Sequence, residues 1–181
     1  MWYPVDVAAP STEPVTRAQA KFQCRVANSA TPFDTELDRL ITAARSHAEA
    51  VCGVRFAART GVAMKCDSFT DFDYLPDGPI TGVVVTYVDT EGATQTLSTD
   101  VYELRASGLE ASIVLKYGQA WPSIQPGSRI TVTAALGATA PEGVVQAMLV
   151  FIDDTFHKRE HAKIGEWTVL DRLLFNHRRN A

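Results

Sequence analysis

One stretch of twenty residues, GPITGVVVTYVDTEGATQTL (78–97), constrains the fold more than any other part of the chain. It reads as two strands joined by a tight turn at Asp89–Gly92, where Gly92 is free to adopt a positive φ. Because the first strand is mainly apolar on both faces, both faces need cover, and the hairpin is predicted at the centre of a larger sheet. The two faces carry Val83, Val85 and Tyr87 on one side and Ile80, Val84, Thr86 and Val88 on the other.

Strand-like pieces continue on both sides of the hairpin, from residue 54 to residue 136. Ser, Asp, Gly and Pro separate them about every ten residues, a spacing typical of a small antiparallel sheet or sandwich. The predicted strands are Arg59–Lys65, Ile80–Val88, Thr94–Leu97, Tyr102–Leu104, Ser112–Tyr117 and Arg129–Ala135.

Helical patterns precede this β-rich insertion. Thr16 and Gln19 form a capping box that predicts a helix over 17–25. A second helix is predicted over 34–52, where apolar residues recur at three- and four-residue steps. Asp34 is expected to cap its start, and Gly53 to end it in the left-handed region.

A third helix is predicted over 141–158, opened by Pro141 and apolar almost all round. Such a helix must be covered on every side. One side is expected to pack on the second helix and the sheet; the other meets either a neighbouring subunit or more of its own chain. The candidate subunit-interface residues on this helix are Val144, Met148 and Phe151.

The two ends of the chain complete the predicted organisation. Residues 1–14 are expected to form an extended N-terminal arm, since they hold three prolines and no apolar period. Residues 15–160 are expected to form a single domain, and residues 161–181 a basic C-terminal tail with a short helix. The predicted class is therefore α+β: a small bundle of about four helices with a central antiparallel β-rich insertion over 54–136.

Composition narrows the classes of function. The chain has 181 residues, no apolar run long enough for a membrane helix and no signal-peptide pattern at its start, so it is expected to stay in the cytoplasm in which it is made. Its net charge of −4 argues against general nucleic-acid binding. The charge is uneven, with +3 over residues 157–181 and −7 over the rest. Such an end can draw the chain onto an acidic partner, but on charge alone a solvated terminus is favoured.

Three patterns raise the question of chemistry. The first pattern is the zinc-binding motif H-x-x-E-H, matched by His157-Lys158-Arg159-Glu160-His161. It makes a zinc-dependent hydrolase the alternative function, although the sequence offers no convincing third zinc ligand. The second pattern is an acidic stretch formed by Asp67, Asp71, Asp73 and Asp77. Its spacing fits no standard cation-binding loop, so a solvated acidic face is favoured over a cation site. A carbohydrate-binding module using Trp121 or Trp167 is a third hypothesis. The predicted catalytic, metal and cofactor sets are all empty.

The order of the pieces is more specific than any one of them. The chain begins this order with EPVTRAQAKFQCRV (13–26) and FDTELDRLITAARSHAEAVCGVRF (33–56). It continues with LPDGPITGVVVTYVDTEGATQTL (75–97), WPSIQPGSRITVTAALG (121–137), APEGVVQAMLVFIDDTFHKRE (140–160) and LDRLLFNHRR (170–179). This succession resembles the head–tail adaptor, or connector, proteins of long-tailed bacteriophages, prophages and gene transfer agents. Arg17 departs from the family pattern, which usually has a leucine there, so the first helix is expected to pack less deeply.

The resemblance implies a structural function without catalysis. Adaptors of this family form a ring of about twelve copies beneath the portal protein, extend the DNA channel and present a surface to a downstream neck or tail protein. It implies localisation at the virion neck after synthesis in the host bacterium, homo-oligomerisation, and passage of genomic DNA without specific binding. The portal-binding candidates in the tail are Leu170, Leu173, Leu174, Phe175, Arg178 and Arg179.

Overall fold

The chain folds into two compact units, which we call the helical unit and the β unit. A computed structural model describes residues 1–3, 9–107, 109–137, 139–158 and 169–179. The helical unit comprises residues 12–57 and 139–181, and the β unit residues 1–11 and 58–138. The described residues form four α-helices and antiparallel sheets, which confirms the predicted α+β class. The boundaries expected for the arm, the single domain and the tail stay a prediction.

The helical unit packs its elements around one apolar core. α2 contacts α1, α3 and α4, and its apolar stripe is buried together with one side of α3. The core residues include Leu37, Leu40, Ala44 and Ala48 from α2, Val144, Ala147, Met148 and Ile152 from α3, and Leu174 from α4. The helices are α1 (Arg17–Gln23), α2 (Asp34–Cys52), α3 (Glu142–Lys158) and α4 (Val169–Phe175).

Two details differ from expectation at the start of this unit. The predicted capping box is present, with the Gln19 amide donating to Thr16 Oγ1 at 3.3 Å, but α1 ends at Gln23, two residues early. Asp34 does not cap α2; it is the first helical residue, and Phe33 precedes the helix without a side-chain cap. The Asp34 carboxylate instead forms an ion pair with Lys21 Nζ at 2.6 Å, so its acceptor capacity is used in joining α1 to α2.

The β unit contains a four-stranded antiparallel sheet, a two-stranded hairpin and a short 3-10 helix, Phe69–Asp73. The sheet order is β1-β6-β2-β3, and the separate hairpin is β4-β5. The apolar β2 therefore lies inside the sheet, as the opening hairpin predicted. The strands are β1 (Arg59–Cys66), β2 (Ile80–Val88), β3 (Thr94–Thr96), β4 (Tyr102–Ser107), β5 (Glu110–Leu115) and β6 (Ile130–Leu136).

One face of the sheet forms the core of the β unit. Val85 is fully buried in it, with Val83 and Tyr87 packed against the same cluster. On the opposite face of β2, Val84 keeps 51% of its surface exposed. The expectation that both faces of the hairpin are covered therefore holds for one face. The turn is as predicted, with Gly92 at φ 87° and the Asp89 carboxylate accepting from the Ala93 amide at 2.9 Å.

The first residues of the chain extend the edge of this sheet. Trp2 forms a bridge with Cys66, and the Tyr3 amide donates to the Lys65 carbonyl at 2.9 Å. The Trp2 indole stacks on Phe72 with ring centroids 6.2 Å apart. These contacts cover part of an edge strand that would otherwise present unpaired backbone groups. Across the described part of the chain, the helices are too short or too polar to cross a lipid bilayer.

Candidate assembly surfaces

The predicted portal-binding residues divide into a buried and an open set. Leu174 is fully buried in the helical unit, and Leu170 and Leu173 are half-buried. Phe175, by contrast, is 44% exposed, and the Arg178 guanidinium lies over its ring at 5.9 Å. The Arg179 amide donates to the Cys52 carbonyl at 2.7 Å, which fastens the end of the described tail to the end of α2. Phe175 is therefore the member best placed to meet a partner, with the half-buried Arg178 beside it.

The candidate subunit-interface residues on α3 are covered mainly by the helical unit itself. Val144 and Met148 are 0% and 1% exposed, and α3 packs on α1, α2 and α4. Phe151 is partly exposed, and its ring stacks on His47 with centroids 5.3 Å apart. The more open side of α3 is carried by half-buried Val145, Leu149, Val150 and Phe151. Of the alternatives for covering α3, more of its own chain accounts for Val144 and Met148.

The acidic stretch of the β unit forms what we call the acidic ledge: Asp67, Asp71, Asp73 and Tyr74. Asp67 accepts from the Tyr3 hydroxyl at 2.8 Å, and Asp71 forms an ion pair with the terminal amino group. Asp73 is exposed and forms no ion pair with any residue of the described ranges. Asp77 is buried and accepts from the Gly78 amide at 3.0 Å, so it belongs to the loop before β2 and not to the ledge.

The H-x-x-E-H motif and the acidic stretch do not form a metal centre among the described residues. The described residues contain no group of three or more His, Cys, Asp or Glu side chains that could hold a metal ion. His157 Nδ1 lies 3.0 Å from Asp153 on the preceding turn of α3, an ordinary i,i+4 pair. Glu160 and His161, the rest of the H-x-x-E-H motif, lie outside the described residues, as does Trp167. Trp121 stacks on Phe69 at 4.8 Å and contributes to the aromatic core of the β unit.

The three thiols are also unsuited to nucleophilic chemistry. Cys24, Cys52 and Cys66 are free and buried. Burial raises the pKa of the Cys66 thiol to about 12 and that of Cys24 to about 11. Because the thiolate is the reactive form, both side chains stay protonated and inert near neutral pH.

Comparison with known proteins gives the fold a context. No family model and no curated protein matches the sequence. A chain in the neck of an empty gene transfer agent particle, computed with C6 symmetry, superposes with a TM-score of 0.79 at 17% identity, over 97% of this chain and 95% of that one. The fold is that of a gene transfer agent neck protein.

Two further structures extend this similarity. A chain in the virion of a native gene transfer agent particle has a TM-score of 0.75 at 16% identity, covering 96% of this chain and 94% of that one. A chain in the neck of a native particle computed with C12 symmetry has a TM-score of 0.64 at 16% identity, covering 94% and 93%. The matches cover residues of both units. The fold implied by the adaptor resemblance is confirmed.

One exposed apolar surface, at Phe22, was not predicted from the sequence. Phe22 on α1 is 86% exposed, although it is a large apolar residue. The buried residues of this helix are Ala20 and Lys21, with Cys24 buried just beyond its end, so Phe22 points away from the core. The signal was readable: an aromatic residue stands off the buried stripe of a short helix. Such residues are enriched in protein interfaces.

Proposed function

We propose that this protein is a structural component of a particle neck, a head–tail adaptor that joins a genome-filled head to a tail. The observation that carries the proposal is the superposition of nearly the whole chain on neck proteins of gene transfer agent particles. The described residues hold no group of side chains that could bind a metal ion, and several large apolar side chains are exposed, including Phe22, Tyr117 and Phe175. Exposed aromatic residues of this kind suit a protein whose work is to hold other proteins.

In this proposal the adaptor forms a ring of twelve copies. The neck structures it resembles were computed with C6 and C12 symmetry, and twelve copies are compatible with both. A ring requires a heterologous interface, in which one patch on each copy meets a different patch on the next. Two distinct surfaces per copy are therefore needed, in addition to those that meet other proteins.

The ring is proposed to meet the portal protein on one side and a downstream neck or tail protein on the other. Phe175 and Arg178 in the tail are the proposed portal contacts, since an exposed aromatic ring beside a guanidinium is a favourable anchor. The channel is proposed to pass genomic DNA without specific binding. A net charge of −4 supports this, because close contacts between cations and phosphates would hold the DNA in place.

Gene deletion tests the function directly. Particles made without this chain are expected to separate into filled heads and free tails, and the purified protein is expected to rejoin them. Intact tailed particles in the deletion strain would contradict the proposal. A His157→Ala variant is expected to restore joining fully, whereas a zinc hydrolase would lose its activity in that variant.

The portal contact has its own test. Phe175→Asp is expected to weaken binding to the purified portal protein strongly while leaving the melting temperature nearly unchanged, because the ring is already half open to solvent. Gln146→Asp, at an exposed position on α3, is the matched control and is expected to bind normally. Equal binding by both variants would remove the tail from the contact.

A further inference from the structure

The end of α1 holds an arginine where the backbone favours glycine. Arg25 has φ 57°, in the left-handed region. Its amide donates to the Phe22 carbonyl at 3.2 Å, and the Val26 amide donates to the Lys21 carbonyl at 2.8 Å. This pair of hydrogen bonds is the Schellman motif, whose left-handed position is usually filled by glycine. An arginine at this position adds backbone strain that a glycine would avoid, so its side chain calls for an explanation outside the local fold.

The Arg25 side chain has no partner of opposite charge among the described residues. It is exposed and forms no ion pair there, whereas its neighbour Arg17 bonds to Asp38. Beside it, Phe22 presents 86% of its surface to solvent. A shallow concavity, which we call the α1-end patch, lies here; it is lined by Phe22, Gln23, Arg25, Val26 and Ala27. The guanidinium of Arg25, unpaired among the described residues, lies beside the exposed ring of Phe22. This pair suits a partner surface that carries an anion next to an apolar side chain.

The acidic ledge of the β unit offers that chemistry. Asp73 is exposed and unpaired among the described residues, and the adjacent Tyr74 is 42% exposed. The ledge is held in place from behind, because the Trp2 indole donates to the Asp71 and Tyr74 carbonyls at 3.1 and 2.8 Å. The two sites are complementary: an aromatic ring and a cation on one, an aromatic ring and an anion on the other.

The net charges of the two units also favour contact between the β unit of one copy and the helical unit of another. The β unit has five Lys and Arg against ten Asp and Glu, a net −5. The helical unit has twelve against eleven, a net +1. Two β units therefore repel each other, whereas the β unit of one copy is attracted to the helical unit of another. Such a pairing is heterologous, the kind of contact that a ring requires, and it closes a ring when the rotation between neighbouring copies permits closure.

We propose that copies of this chain associate by docking the acidic ledge of one copy on the α1-end patch of the next. Arg25 pairs with Asp73 of the neighbouring copy, and Phe22 packs against Tyr74 of that copy. This inference deepens the proposed function by naming its subunit contact. The contact concerns two copies of this chain and so has a test that needs neither portal nor tail.

Charge exchange in the purified chain tests the pair. Arg25→Glu and Asp73→Arg are each expected to weaken self-association at least about tenfold, and the double variant is expected to recover it. Glu103→Arg makes the same charge change at another exposed acid of the β unit and is the matched control. Arg25→Gly preserves the left-handed backbone, so it is expected to lose association without a lower melting temperature. Equal association of all these variants and the parent, measured by sedimentation, would overturn the contact.

Cross-linking supplies a second measurement with its own outcome. The Phe22→Cys/Tyr74→Cys chain, oxidised at high concentration, is expected to give a ladder of linked copies, whereas Phe22→Cys/Val84→Cys is expected to give none. The three native thiols are buried, so they do not compete. A missing ladder overturns the contact, whatever the protein does in a particle. Conversely, a ladder obtained for a chain that is absent from particle necks would contradict the proposed function and leave the contact standing.

Discussion

The first two helices are each followed by a left-handed residue, but side chains of opposite charge hold the chain that leaves them. After α1, Arg25 adopts the left-handed conformation; after α2, Gly53 does so with φ 65°. In α1 the departing chain is held by buried Lys21, whose ammonium donates to the Asn28 and Ala30 carbonyls. In α2 it is held by buried Glu49, whose carboxylate accepts from the Phe56 amide at 3.1 Å. One helix end uses a cation to bind carbonyls, and the other an anion to bind an amide.

The two helix ends differ in the backbone strain of their left-handed residues. The end of α2 carries the residue that adopts positive φ at no steric cost, and Arg45 pairs with its buried carboxylate at 3.1 Å. The end of α1 is equally well anchored through Lys21 but keeps a strained arginine beside an exposed phenylalanine. Strain retained in an otherwise well-satisfied segment is typical of a functional surface.

The largest expected effect is the loss of the anchor at α2. Glu49→Ala leaves the buried Arg45 with one partner fewer and the Phe56 amide without its acceptor, so we expect a loss of about 3–5 kcal/mol in the free energy of unfolding. Urea denaturation measures it. Glu36→Ala removes the exposed ion pair with Arg39 on the same helix and is expected to cost less than about 1 kcal/mol. Similar losses in the two variants would show that burial of Glu49 is unimportant.

The anchor at α1 comes next. Lys21→Met keeps the aliphatic stem but removes all three ammonium contacts, to Asn28, Ala30 and Asp34. We expect a loss of about 2–3 kcal/mol, since two carbonyls and a carboxylate lose a charged donor. The control is Arg17→Met, because Arg17 also pairs with Asp34 but is more exposed. Its expected loss in the free energy of unfolding is about 1 kcal/mol at most. A Lys21→Met protein as stable as the parent would mean that water replaces the ammonium.

The left-handed residue of α2 gives a smaller effect. Gly53→Ala is expected to destabilise by about 1–2 kcal/mol because an L-residue is strained at this φ. The added Cβ itself meets only an ordinary contact, 3.5 Å from Arg179 Cβ, so the backbone accounts for the loss. Gly82→Ala, which meets nothing within 4 Å and lacks a positive φ, is the control and is expected to be near neutral. Thermal melts of the two variants separate the effect of backbone strain at positive φ from the effect of adding a Cβ atom.

The smallest effect has the opposite sign. Arg25→Gly relieves the left-handed strain of about 1–2 kcal/mol but adds backbone entropy to the unfolded chain, so a net gain of about 0.5 kcal/mol is expected. A chemical denaturation series on the purified monomer measures it. A loss of stability would show that the Arg25 side chain supports the helical unit, and the comparison between the two helix ends would then fail.

Most of the secondary structure was readable because its signals are local. The helix over 34–52 matches the observed bounds of α2, since a 3.6-residue apolar period and a terminal glycine are properties of neighbouring residues. The strand over 80–88 likewise matches β2. The end of α1 was missed by two residues because Arg25 carries no sequence signal for positive φ. Its conformation follows from the hydrogen bonds to Lys21 and Phe22.

The candidate surfaces were less readable than the elements. The sequence pointed to Val144 and Met148 as contacts between subunits, because a helix apolar on all sides needs cover. Both side chains are buried within their own chain, and their place in a subunit interface stays a prediction. The exposure of Phe22 was not predicted, because its one sequence signal is a position off the buried stripe of a short helix. Burial depends on which elements pack on a residue, and local periodicity does not specify that.

By itself, the sequence determined the α+β class, the strands around the apolar hairpin and the long helices, because each depends on the spacing of residues a few positions apart. Tertiary structure alone decided which apolar side chains are covered and which charges are paired. Lys21 and Arg25 lie four residues apart in the same helical turn region, yet one is buried with three partners and the other is exposed with none in the described chain. The difference arises because the loop after α1 folds back over Lys21 and leaves Arg25 outside.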